Sequence, residues 1–199
     1  MRDGATPARA VSPALLTANA DTLRRLGARR FSLTAVAETA GVSRGTVHNA
    51  LGSRERAIGL ALEHLAETFV DAMAAEVDRH DTLAEQVAAA AVLICAHRQG
   101  SDLLAPRGVD EGILLLLLRS TGDDLVRRAV DLWKPLVKAA RGNHEVAQST
   151  DPSRAAEWIV RLLFSFELLP PMGVDLDNPR TVRRFVAGHA VAGLTGGSP

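Results

Sequence analysis

The stretch whose reading decides the fold is FSLTAVAETAGVSRGTVHNALGSRERA, residues 31–57. Ser32 is a helix-capping residue type ahead of residues 33–40, and Ser43 stands in the same relation to residues 44–51. Between the two segments Gly41 supplies the backbone freedom for a tight turn, and Val42 is expected to pack inward. Gly52-Ser53 closes the second segment and opens another helix. Two short helices joined by a glycine turn make a helix-turn-helix pattern, and in such pairs the second helix enters the major groove of DNA.

Upstream, Ser12-Pro13 is a cap followed by proline at a first helical position, and Gly27 is a natural stop. Leu15, Leu16, Ala20 and Leu23 give the intervening helix its apolar stripe. Residues 12–57 therefore form a three-helix head, preceded by a flexible arm over 1–11 and followed by a body over 58–199. The body reads as helix throughout. A long helix follows Ser53, another spans about 82–98, and 100–109 is a broken connection holding Pro106 and Gly108. Residues 113–118 read as a short buried helix, and Thr121-Gly-Asp-Asp as the start of the next, with Pro135 bending it. Asp151-Pro152 opens a helix that Pro170-Pro171 ends, and a last helix runs from about 179 to 193. The predicted class is all-α, with nine to ten helices.

The 199 residues are 47% hydrophobic and 23% charged, with no net charge. The charge is nonetheless unevenly placed. Residues 1–57 hold nine arginines and four carboxylates, a net of +5, and the remainder is −5. A basic head on an acidic body points to a polyanion partner at one end. The longest apolar run is too short to cross a membrane, and the first eleven residues lack a signal-peptide core. Cys95 is the one cysteine, which excludes an internal disulfide and fits the cytoplasm.

Burial assigns roles within residues 44–51. Val47 and Leu51 share a face and should pack on Val36, Ala37 and Ala40, which leaves Arg44, Thr46, His48 and Asn49 outward. Arg44 suits the guanine N7 and O6 acceptors and Asn49 suits adenine. Thr46 suits a thymine methyl or a phosphate, and His48 a phosphate. Arg54, opening the next helix, is expected to position the DNA backbone. Ser32, Thr34, Ser43 and Gly45 complete the expected double-stranded DNA interface.

These residues resemble the TetR family of bacterial transcriptional regulators, whose heads carry a pattern close to A-G-V-S-x-G-T-[LV]-Y-x-[YH]-F-x-[SN]-K-E. The match covers Ala40, Gly41, Val42, Ser43, Gly45, Thr46, Val47, Ser53 and Glu55. The departures are His48 for tyrosine, Ala50 for an aromatic residue or histidine, Leu51 for phenylalanine, Arg54 for lysine, and Asn19 where a small apolar residue is common. The resemblance implies a homodimer on a palindromic operator, and a body that binds a small molecule which alters the spacing of the heads. It favours a repressor by family habit.

Two helices of the body, about 123–141 and 152–169, each carry a wide apolar stripe and a tryptophan, so paired hairpins would make a four-helix dimer interface. Leu125, Ala129, Trp133, Leu136, Trp158, Ile159, Leu162, Leu163 and Phe166 are its candidates. The competing reading buries both stripes inside one chain. A hydrophobic ligand would meet Leu65, Phe69, Met73, Ile94, His97, Leu104, Ile113, Leu117 and Trp133, against the alternative that these fill a core.

No metal-ligand spacing links Cys95, His64, His97 and His144, so no metal or cofactor is expected. No GxSxG elbow, phosphate loop or HExxH helix supports an enzyme. The remaining alternatives are an all-helical carrier or enzyme for hydrophobic molecules, and a regulator whose body answers a protein partner.

Overall fold

A computed structural model describes residues 11–98, 111–190 and 194. Among the described residues there are eight α-helices and one π-helical turn, with no strand. Close approaches along the backbone divide the chain into two compact units. One is Met1–Ala66 with Gly108–Ser120, the other Glu67–Arg107 with Thr121–Pro199.

The first unit opens with α1 (Pro13–Arg30). Ser12 caps it by accepting from the Leu15 amide, and Pro13 occupies a position where no amide partner is needed. The expected stop at Gly27 is a kink instead: this residue leaves helical geometry (φ 68°, ψ 163°), and the helix resumes to Arg30. Helices α2 (Leu33–Ala40) and α3 (Arg44–Leu51) have the bounds the capping residues predict. Leu23, Val36, Val47, Leu51 and Ala57 are fully buried, so the inward face read from the periodicity is the face that packs.

The division between units falls inside α4 (Arg54–Val77), after Ala66. The second unit is organised on α5 (Leu83–Arg98), which packs against α7 (Pro152–Leu168) and α8 (Pro179–Phe185). Ala88, Ala89, Ala90 and Ala91 are all buried, so α5 is enclosed on every side and shows no amphipathic stripe over this turn. Its N-terminus is capped from a distance, the Glu145 carboxylate accepting from the Leu83 amide at 2.8 Å. Trp133, Val137, Ile159 and Val182 close the same core at 0–1% exposure.

Three expectations about the body change. Residues 113–118 and the helix placed after Thr121 are one element, α6 (Glu111–Gly142, 32 residues). The cap signal at 121–124 is purely local. Gly122 costs a helix only about 1 kcal/mol relative to alanine, and the Asp124 carboxylate finds Arg127 one turn on at 2.7 Å. Pro135 does lie inside this helix, on its exposed side. The last helix is shorter than expected, α8 giving way to a π turn over Val186–Ala190, while 191–193 fall outside the described residues.

The third change concerns the paired stripes. Leu125, Trp133, Ile159, Leu163 and Phe166 are buried by the chain itself, so they are not available to a second copy. Periodicity marks a face as apolar without saying what covers it. Trp158, at 39% exposure, lies on the other side of α7, with Leu162 half-buried and Leu169 at 60% just past the helix end. Ala129 and Leu136 of α6 are half-buried. The candidate ligand residues divide similarly. Met73, Ile94 and Trp133 belong to the packed core with Phe69 against it, Leu117 is buried and Leu65 half-buried. Leu104, and the side chains of His97 and Ile113, lie outside the described residues.

Candidate nucleic-acid interface

The interface is built on a turn. Gly41 ends α2 in the left-handed conformation (φ 65°, ψ 30°). Its amide bonds back to Glu38 O at 3.4 Å, while the Val42 amide reaches Ala37 O at 3.1 Å. These two bonds are the Schellman closure of a helix, and they reverse the chain within two residues. Val42, expected inside, is 41% exposed. The Schellman turn spends its amide on Ala37 and leaves its side chain on the outer rim of the corner.

Ser43 then starts α3. Its Oγ accepts from the Thr46 amide at 3.1 Å and lies 2.9 Å from Thr46 Oγ1. The Thr46 hydroxyl is thereby drawn back onto the cap. Val47 and Leu51, both at 0% exposure, pin the helix inward. Ser43, Arg44, Gly45, Thr46, His48 and Asn49 are all exposed, forming one polar surface on an eight-residue helix. Among the described residues Arg44, His48 and Asn49 make no side-chain hydrogen bond or ion pair with the protein. Ser32 is only half-exposed, its Oγ accepting from the Ala35 amide at 3.2 Å, and Thr34 is half-exposed beside it.

The platform beneath is held by polar bonds as well as by apolar packing. Thr39 Oγ1 accepts from Thr22 Oγ1 at 3.0 Å and from Arg25 Nη2 at 2.9 Å, and donates to Ala35 O. This hub joins α1 to α2. Burial lowers the Arg24 pKa from its ordinary value, and the nearby Asp21 carboxylate opposes that shift. Asn19, fully buried in α1, donates from Nδ2 to Ala57 O at 2.7 Å, while its Oδ1 has no partner among the described residues.

Arg54, expected to position the DNA backbone, also bonds within the protein, with its side chain 43% exposed. Its Nε donates to Phe31 O at 3.1 Å and its Nη2 to Ala28 O, so its guanidinium is committed to the end of α1. A side chain's destination depends on which carbonyls the fold brings near, and the local sequence does not state it. Arg56, to which no role was assigned, donates from Nη1 to Ala50 O at 3.3 Å. The neighbouring Glu55 carboxyl is held below its ordinary value by its own backbone amide first, then by Ser53.

Among the described residues no group of three histidine, cysteine or acidic side chains converges as a metal site. No described helix is long and apolar enough to cross a membrane.

No family model and no curated protein matches the chain. Solved structures do. A TetR-family regulator from Cytophaga hutchinsonii superposes with a TM-score of 0.68 at 16% identity, over 93% of this chain and 94% of that one. A cysteine mutant of the TetR-family regulator CifR, in complex with 26-bp double-strand operator DNA, gives 0.65 at 18% identity, over 91% and 97%. FadR from Bacillus subtilis, a transcriptional regulator in complex with stearoyl-CoA, gives 0.57 at 12% identity, over 87% and 96%. The fold is that of the TetR-family transcriptional regulators.

Proposed function

We propose that this chain, folded as the TetR-family regulators are, is a dimeric DNA-binding transcriptional regulator rather than an enzyme, working in the cytoplasm. The observation that carries the reading is α3. An eight-residue helix has its apolar residues fully buried, and it presents Arg44, Thr46, His48 and Asn49 as one exposed face on a net-basic head. Arg44 and Asn49 carry the donors that match guanine and adenine edges, each worth about 1–3 kcal/mol of discrimination. His48 donates to the sugar-phosphate backbone. With its hydroxyl turned to Ser43, Thr46 offers chiefly its methyl, which suits thymine.

A homodimer on a palindromic operator follows, since one eight-residue helix reads too few bases for useful affinity. With the inner stripes consumed by the core, the line Trp158, Leu162 and Leu169 is an apolar surface that, among the described residues, remains open to a second copy. Ligand response, release from DNA and repression follow the habit of the fold: CifR was solved with operator DNA and FadR with stearoyl-CoA. A hydrophobic small molecule in the body is the expected effector.

Binding to duplex DNA at two salt concentrations tests the reading. A regulator binds random duplex at low salt and weakens steeply as salt rises. Failure to bind at low salt removes the proposal.

A further inference from the structure

Arg54 and Arg56 flank Glu55 in the first turn of α4, and an arginine in such a place is ordinarily read as a phosphate contact. Both guanidiniums instead end on main-chain carbonyls. Arg54 grips Ala28 and Phe31 at the end of α1, and Arg56 grips Ala50 in the last turn of α3. These are the ends of helices, where unfilled carbonyls concentrate negative partial charge. The remaining Arg54 nitrogen, Nη1, lies 4.0 Å from Glu55 Oε1. From the opposite direction Asn19 of α1 reaches into the same turn, donating to Ala57 O at 2.7 Å. Three side chains thus strap one turn of α4 to α1 and α3.

The connection they bridge is the tight corner at Gly52. Gly52, between α3 and α4, has φ 74° and ψ −127°, and a Cβ there would lie 3.2 Å from Arg56 Nη1. Arg56 therefore lies across this corner. We infer that Arg54 and Arg56 are positioning residues that fix the reading face of α3 against the start of α4, and that they are not phosphate ligands. The inference rests on the DNA-binding reading above. It assigns Arg54 a job that needs two donors held in one plane, which a lysine ammonium does not provide.

The two roles separate by salt dependence and by specificity. A phosphate contact contributes equally to every duplex, and its loss lowers the salt slope by about 0.9 per head. A positioning strap contributes only where both heads must sit in register on a preferred sequence. The probes are a duplex that the wild-type chain selects from a random pool and a shuffled duplex of equal length. Arg54→Lys and Arg56→Gln serve as independent variants, each checked for native circular dichroism. Each is expected to weaken the selected duplex about tenfold, leave the shuffled duplex within about twofold, and keep the wild-type salt slope. Arg54→Lys binding both duplexes as wild type does, or Arg54→Ala weakening both alike with a shallower slope, would restore the phosphate role and overturn the inference. Variants that lose only thermal stability while the folded protein binds normally would overturn the inference as well, by leaving the two arginines a purely structural role. A wild-type chain that binds no duplex refutes the DNA reading itself, a result distinct from all of these.

Discussion

Asn19 offers a test in which two substitutions should rank opposite to their size. The side chain is fully buried, with one hydrogen bond to Ala57 O and an Oδ1 that finds no partner among the described residues. In Asn19→Ala the lost hydrogen bond costs about 1 kcal/mol, and a hole of roughly 50 Å³ costs about as much again. Removing a desolvated carbonyl oxygen returns about 1–3 kcal/mol. The net change is within about 1 kcal/mol of zero. Asn19→Asp has the same shape but must stay protonated to occupy this site and donate to Ala57 O. Holding an ordinary aspartate neutral at pH 7 costs up to about 4 kcal/mol. The sign follows from linkage. A carboxyl whose folded pKa is raised loses stability as pH rises above its unfolded value near 3.9, by about 1.4 kcal/mol per unit, until the folded pKa is reached. Urea denaturation followed by circular dichroism, at pH 7 and at pH 4.5, measures both. The alanine variant should sit close to wild type at both pH values, and most of the aspartate penalty should vanish at the lower one. An aspartate penalty that ignores pH would refute the burial argument, and an alanine variant as damaged as the aspartate would show that packing dominates.

Other consequences are as direct. Gly41→Ala meets no atom within 4 Å of its new Cβ, so its cost is the left-handed backbone alone, about 1–2 kcal/mol, and Gly41→Asn should cost less; equal losses in urea melts would contradict this. Asn49→Ala should relax preference at one base position of a selected operator while sparing the others, which sequencing of the selected pool will show. Trp158→Glu should yield a folded monomer by sedimentation, whereas Trp133→Ala should cost about 3–5 kcal/mol of stability; a dimeric Trp158→Glu would move the interface elsewhere. Asp151 caps α7, its carboxyl held below the ordinary value chiefly by the Arg154 amide and also by the Ser153 amide. Its contribution is complete above the unfolded carboxylate pKa and is lost as pH falls through the lower folded value. Wild type should therefore lose more stability than Asp151→Asn below about pH 4, measured by acid titration of thermal midpoints.

The parts of the fold that were legible in the sequence are those whose cause lies within a few residues. Ser32, Gly41 and Ser43 bound α2 and α3 because caps and left-handed corners act over one turn. The same local reasoning misplaced a helix start at Thr121, where the continuity of α6 on both sides outweighs a cap signal. It reaches less far where a side chain's partner is distant in sequence. Arg54 has the charge of a DNA contact and the surroundings of a helix strap. Trp133 and Trp158 belong to similar stripes, yet one is covered by its own chain and the other is left outside. The outward face of α3 was readable because Val47 and Leu51 fix it, whereas the partner of Asn19 lies 38 residues away in α4.

The enclosed stretch of α5 sets a limit on how this protein can change. Four successive buried alanines leave no side of this turn open to a larger side chain. A methylene added to a tightly packed core costs about 1–3 kcal/mol, and α7 and α8 both lie against this helix. The outer surfaces of the second unit are free to drift in sequence while this turn is not. Sequence change in the second unit is therefore accommodated more readily around α5 than along it.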